Sequence, residues 1–151
     1  MDSEVYLAAL KMLAGRELSE SQVRQRLARR KYDRDEIDQV IARLKANGNI
    51  DDARAAAVIA RRETTVRRRG KGRVSSRLRA AGIAPATADS AVQQVFQEVD
   101  ADALLAASLE RRLRGRTRID DDKEFQRLYR YLVGQGFEPD RVLAALRKHR
   151  A

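Results

Sequence analysis

The residues best suited to bind a charged ligand lie in one stretch of the 151-residue chain, residues 61–79, here called the basic segment. It holds nine cations against the single acid Glu63, a local net charge of +8 out of +10 for the whole chain. The cations are Arg61, Arg62, Arg67, Arg68, Arg69, Lys71, Arg73, Arg77 and Arg79. Like charges at this density repel one another unless negatively charged groups of a partner lie close to them. We therefore predict that the basic segment contacts an anionic partner.

Two glycines in the basic segment, Gly70 and Gly72, suggest a phosphate-binding loop. A nucleotide loop of the common type follows a strand and has the pattern GxxxxGK[ST] or GxGxxG, and the segment has neither. We interpret it instead as a loop whose backbone and arginines contact phosphates at the start of the helix that contains Val74 and Leu78. The alternative is a solvated, flexible basic turn.

Residue types that carry enzyme chemistry are scarce. The chain has no cysteine and a single histidine, His149, which excludes disulfides, thiol nucleophiles, thiolate zinc sites and histidine clusters. Three consecutive acids, residues 120–122, are interpreted as a helix start rather than a metal site. We predict no catalytic residue, no metal and no cofactor, so the chain is predicted not to be an enzyme. His149 is predicted to be a surface residue.

An aromatic cluster near the C-terminus could stack on nucleic-acid bases. Helical geometry instead places Phe125 and Tyr129 on one face with Leu128 and Leu132, whereas Tyr131 points elsewhere. Core packing is therefore the favoured interpretation, and base stacking is the alternative.

The elements that position these residues are predicted to be helices alone. Strand signals are absent, and apolar residues recur at helical spacing. Aligning the chain with itself reveals a period of about fifty residues, the scale of helical repeats. Val23, Leu27, Tyr32, Ile37 and Ile41 align with Val74, Leu78, Ile83, Ala88 and Val92, and then with Leu128, Leu132, Phe137, Val142 and Leu146. The pattern predicts an elongated all-α array of three tandem three-helix repeats, over residues 1–49, 50–99 and 100–151.

The turn between the last two helices of each repeat also recurs, as KYDR, GIAP and GFEP. Gly82 and Gly136 fit the left-handed residue that ends a helix, and Lys31 replaces glycine in the first repeat. Ser19 and Gln22 fit a capping box at the start of the second helix. The first helices of the repeats are predicted over residues 4–14, 51–66 and 101–113.

Residues 19–45 resemble a DNA-reading helix-turn-helix in size, and their first helix carries Arg24, Arg29 and Arg30. Sequence reading would need a recognition helix that presents side chains to base edges. The following helix alternates acids with bases and shows no such set. We predict that the array follows a surface or groove rather than reading a sequence.

Four stretches in order resemble the bacterial RecX regulatory proteins, which modulate the RecA recombinase. They are RELSESQVRQRL at 16–27, GNIDDARAAAVIARR at 48–62, RRRGKGRVSSRLRAAGI at 67–83 and RLYRYLVGQGF at 127–137. The resemblance covers nearly the whole chain. Arg68, Arg69 and Gly70 stand where the family commonly has Gly-Tyr-Gly, and Asn49 stands where an aromatic residue is usual. Contacts of this loop would therefore use guanidinium groups rather than a ring.

The resemblance implies a curved helical array in the groove of the RecA–single-stranded DNA filament. There it would impede strand exchange, ATP hydrolysis and stimulated repressor cleavage, with roles in recombination, repair and the SOS response. The basic segment would meet acidic filament surface or DNA phosphate, and Arg24, Arg29 and Arg30 would extend the same face. We expect a monomer in the cytoplasm, without membrane contact. The alternative is a sequence-independent DNA-binding protein that acts by occupying DNA.

Overall fold

The computed structural model describes residues 2–150, and helices make up almost all of their regular structure. The helices are α1 Glu4–Gly15, α2 Glu20–Arg29, α3 Arg34–Ala46, α4 Asp52–Thr65, α5 Lys71–Ala80, α6 Pro85–Glu98, α7 Ala101–Leu113, α8 Asp122–Gly134 and α9 Pro139–Arg147. Within these residues, β-pairing is limited to one isolated parallel bridge between Ile119 and Arg150. The all-α prediction is confirmed. None of the described helices has both the length and the apolar composition needed to span a membrane.

The predicted repeat is visible in the turns that follow α2, α5 and α8. Each turn contains one residue with a left-handed backbone: Lys31 at φ 63°, Gly82 at φ 76° and Gly136 at φ 99°. In the second and third repeats the next residue closes the turn, since Ile83 N–H donates to Leu78 O and Phe137 N–H donates to Leu132 O. The three-helix repeat is confirmed, with lysine adopting the glycine conformation in the first repeat.

The helices fall into two compact units. The first unit comprises residues up to 59 together with 78–91, and the second comprises residues 60–77 together with those from 92 onward. Helices α4, α5 and α6 therefore each contribute residues to both units. The predicted repeat boundaries, after residues 49 and 99, do not coincide with the limits of these two units and stay a prediction.

The core of the first unit is built by one apolar face from each of α1, α2 and α3. The face of α1 contributes Val5 and Ala9, whereas Leu18 precedes α2 and Ile50 follows α3. From α2 and α3 come Val23, Leu27, Ile37, Val40, Ile41 and Leu44, all buried. Tyr32 is half-buried and packs against this core. The positions aligned in the first repeat therefore pack together as their helical spacing predicts.

Ser19 fixes the start of α2. Its Oγ accepts from Gln22 N–H at 3.1 Å, and Gln22 Oε1 accepts from Ser19 N–H at 3.0 Å, which completes the predicted capping box. The same hydroxyl donates to Ala81 O just beyond α5. Asp52, the first residue of α4, accepts from Glu20 N–H at 2.8 Å. One buried hydroxyl and one carboxylate thus satisfy orphan amides of α2 and join it to other helices of the first unit.

The core of the second unit lies between α7, α8 and α9. It contains Leu105, Leu109, Leu113, Ile119, Leu128, Leu132, Phe137, Val142 and Leu146. All five positions aligned in the third repeat are in this cluster. In the middle repeat Val74, Leu78, Ile83 and Ala88 are buried, and Val92 is half-buried. The aligned apolar positions are therefore core positions throughout the chain.

Candidate binding surface

The part of the basic segment that belongs to the second unit runs through the end of α4, a short loop and most of α5. Seven of its eight cations are exposed to solvent: Arg61, Arg62, Arg67, Arg68, Lys71, Arg73 and Arg77. The eighth, Arg69, is half-buried, with 18% of its side chain exposed. Residues 60–77 therefore present a strongly basic surface on one compact unit.

The loop between α4 and α5 turns back sharply at Arg68. This residue has a left-handed backbone, at φ 55°, and the next amide, Arg69 N–H, donates to Glu63 O at 2.9 Å. This bond joins residues six apart, one more than the bond of a Schellman turn, and arginine takes the left-handed position that is usually glycine at a helix end. The side chains of Arg67 and Arg68 lie at the outer end of this turn and are exposed.

Gly70 in the loop and Gly72 in the first turn of α5 both donate their amides to carbonyl groups of the protein. Gly70 N–H donates to Gln135 O at 2.9 Å, and Gly72 N–H donates to Gly136 O at 3.0 Å. A Cβ on Gly70 would lie 2.6 Å from the carbonyl carbon of Gly136, so close backbone packing requires glycine there. These two amides are therefore not free to bind phosphate, whereas the contact of other backbone groups and of the arginines with phosphates stays a prediction.

Glu63, the one acid of the basic segment, lies near the end of α4, and its burial was not predicted from the sequence. Only 3% of the residue is exposed. Its Oε1 accepts from Arg77 Nε at 3.1 Å, and Arg69 Nε lies 4.0 Å from Oε2. Neither Oε2 nor that Nε has a hydrogen-bond partner among the described residues. Arg69 and Arg77 therefore neutralise a buried carboxylate. Within residues 60–77, the exposed cations that have no ion pair in the described chain, residues 2–150, are Arg61, Arg62, Arg67, Arg68, Lys71 and Arg73.

The remaining predicted site residues belong to the first unit. Arg79 is exposed near the end of α5, and Arg29 and Arg30 are exposed at the end of α2. Arg24 is half-buried and forms an ion pair with Asp38 on α3. Arg24 is thus already partly neutralised. That these arginines extend the face of the basic segment stays a prediction.

The acids before α8 act as the sequence predicts. Asp121 is the N-cap of this helix and accepts from Glu124 N–H at 2.7 Å. A hydrogen bond and ion pair with Arg116 hold the pKa of the Glu124 carboxyl below its ordinary value. Residues 2–150 contain no cluster of three or more histidine, aspartate or glutamate side chains suited to a metal.

Two expectations for the C-terminal third need correction. Tyr131 does not point away from the core, because it packs against the apolar cluster of the second unit beside Phe125 and Tyr129. The guanidinium of Arg112 lies 3.7 Å from the centre of its ring and covers it. His149 is half-buried rather than purely superficial, since its Nδ1 lies 3.0 Å from Thr117 O. None of these side chains joins the basic surface.

Several known proteins are similar to this chain in sequence. A family model for the first three-helix domain of RecX matches residues 6–44. The regulatory protein RecX of Halorhodospira halophila is 32% identical over 139 residues, which cover 91% of this chain and 83% of that protein. The chain belongs to the RecX family. The RecX of Trichlorobacter lovleyi is 29% identical over 146 residues, covering 93% of this chain and 92% of that protein.

Solved RecX structures share the fold. The crystal structure of RecX from Lactobacillus salivarius superposes with a TM-score of 0.79 at 18% identity and covers 95% of this chain and 93% of that chain. A second crystal structure of a regulatory protein RecX gives a TM-score of 0.77 at 24% identity, covering 95% of this chain and 70% of that chain. The RecX relatives are named as regulatory proteins and not as enzymes.

Proposed function

We propose that this RecX-family chain binds the groove of the RecA–single-stranded DNA filament and reduces strand exchange, ATP hydrolysis and stimulated repressor cleavage. The observation that carries the proposal is the set of six exposed cations that residues 60–77 bring together without an ion pair in the described chain, which is related to proteins named regulatory protein RecX. Such a surface favours an anionic partner, and the filament offers both acidic protein surface and DNA phosphate.

A filament also suits a chain made of repeats. Successive protomers present the same surface at regular spacing, so contacts made by separate helices add to one another once the first is formed. Free RecA lacks that alignment and is expected to bind more weakly. Guanidinium groups provide most of the exposed charge, and their planar shape allows paired hydrogen bonds to carboxylate or phosphate.

An order-of-addition assay tests this function. Filaments of RecA are assembled on long circular single-stranded DNA, and the chain is then added together with an excess of an oligonucleotide too short to support a stable filament. We expect DNA-dependent ATP hydrolysis to fall and to stay low in the presence of the oligonucleotide, because the chain binds the filament itself.

Two outcomes would contradict the proposal. Unchanged hydrolysis would show that the chain does not act on filaments. Inhibition that the oligonucleotide abolishes would favour the alternative, a protein that acts by occupying DNA, because naked phosphate would then compete fully for the basic segment.

A further inference from the structure

A groove of about 450 Å³ opens on the second unit between the end of α6, the start of α7 and the turn before α9. Its apolar lining comes from Phe96, Val99, Leu105 and Phe137. Leu105 and Phe137 belong to the core of the unit, whereas Phe96 and Val99 are only half-buried. The groove therefore leaves apolar surface in contact with water, and covering that surface would be favourable.

The groove is lined by four carboxylates and two cations, Lys71 and Arg141, and two of the carboxylates have no partner within residues 2–150. Asp100 accepts from amides at the start of α7, and Asp102 lies 3.2 Å from Arg141 in an ion pair. Glu98 and Glu138 are exposed, and neither side chain has an ion pair or hydrogen bond within residues 2–150. Two free negative charges thus stand beside the half-buried apolar surface, and we call the whole feature the acidic groove.

One contact within the unit indicates what such a groove accepts. The ammonium group of Lys71 lies 5.6 Å from the centre of the Phe96 ring, within the range of a cation–π interaction. Long basic side chains combine an apolar stem with a charged end, so they suit a site that has an aromatic wall and an acidic rim. A polyanion does not suit it, because Glu98 and Glu138 would repel phosphate.

We propose that the acidic groove docks a segment of the protein component of the filament that carries a lysine or arginine next to an apolar side chain. This inference rests on the proposed function. The apolar side chain would cover Phe96 and Val99, and the cation would meet Glu98 and Glu138. The second unit would then have two contacts of opposite charge, the basic segment for the anionic surface and the acidic groove for a cationic protein segment.

A charge reversal separates this proposal from simple attraction to DNA. Glu98→Lys changes the last residue of α6, where a cation is compatible with the helix dipole, so folding should be retained. Binding is measured for naked single-stranded DNA and for the same DNA coated by RecA with a non-hydrolysable nucleotide. We expect affinity for naked DNA to rise about twofold, because the variant is more basic, and affinity for the filament to fall about tenfold.

The matched control is Glu110→Lys, which makes the same charge change at an exposed position near the end of α7, outside the acidic groove. We expect it to bind both targets at least as tightly as the unchanged chain. If Glu98→Lys behaves like Glu110→Lys while the unchanged chain still prefers the filament, the groove proposal is overturned and the proposed function stands. If the unchanged chain shows no preference for the filament, the proposed function fails and the groove proposal with it.

Discussion

Replacing Gly136 by alanine is expected to lower the free energy of unfolding by about 3 kcal/mol. The added Cβ would lie 2.3 Å from Arg73 N and 2.6 Å from Arg73 Cβ, and the backbone sits at φ 99°, where side chains are disfavoured. Because Gly136 O also accepts from Gly72 N–H, any shift that relieves this clash loosens the start of α5. Urea denaturation followed by circular dichroism measures the change.

Gly134→Ala is the matched control for that substitution. Gly134 is the last residue of α8, and a Cβ there would meet nothing within 4 Å. Alanine is a better helix former than glycine, so this variant is expected to be unchanged or more stable by about 0.5 kcal/mol. Equal losses in the two variants would contradict the close approach of the α8–α9 turn to the basic loop.

The double charge reversal Arg67→Glu/Arg68→Glu is expected to have the largest effect on binding. Both side chains are exposed and have no ion pair within residues 2–150, so they are free to meet an anionic partner. We expect affinity for the RecA-coated filament to fall by a factor on the order of 100, and inhibition of filament ATP hydrolysis to be lost with it. Where both contacts are to phosphate, the log–log slope of binding against salt should also become shallower by about 1.4, roughly 0.7 for each lost contact on single-stranded DNA.

Lys123→Glu/Arg127→Glu tests whether position matters or only net charge. Both residues are exposed on α8, and the net charge changes equally. Lys123 lies in the first turn, where an acid is compatible with the helix dipole. A similar loss of binding in this control would show that total charge drives association. Arg69 is left unchanged in these variants because it faces the buried Glu63, and its replacement would disturb the loop itself.

The repeat was predictable because it rests on local chemistry. Apolar residues at helical spacing define a core face, and a glycine just past the last apolar residue marks a helix end. The structure places Gly82 and Gly136 in the left-handed conformation for that reason. Lys31 takes the same conformation because the packing of α2 against α3 fixes the turn, at a local cost of about 1 kcal/mol.

The binding surface was harder to predict because its contacts are distant in sequence. A lone acid among nine cations is expected to be solvated, and nothing local indicates that Glu63 is buried. Gly70 and Gly72 suggest in sequence a loop with free amides, but those amides donate to Gln135 and Gly136, more than sixty residues away. Such tertiary contacts override the local pattern. They divide the eight cations of residues 60–77 into Arg69 and Arg77, which face Glu63, and six exposed cations without an ion pair within residues 2–150.

The most direct test of the central claim compares the affinity of this chain for naked single-stranded DNA with its affinity for the same DNA coated by RecA and a non-hydrolysable nucleotide. Both are measured over a series of salt concentrations, since attraction to phosphate weakens steeply as salt rises. We expect a preference for the coated DNA that persists at moderate salt. Equal affinities that fall together with salt would contradict it, because the basic segment would then be a DNA-binding patch alone.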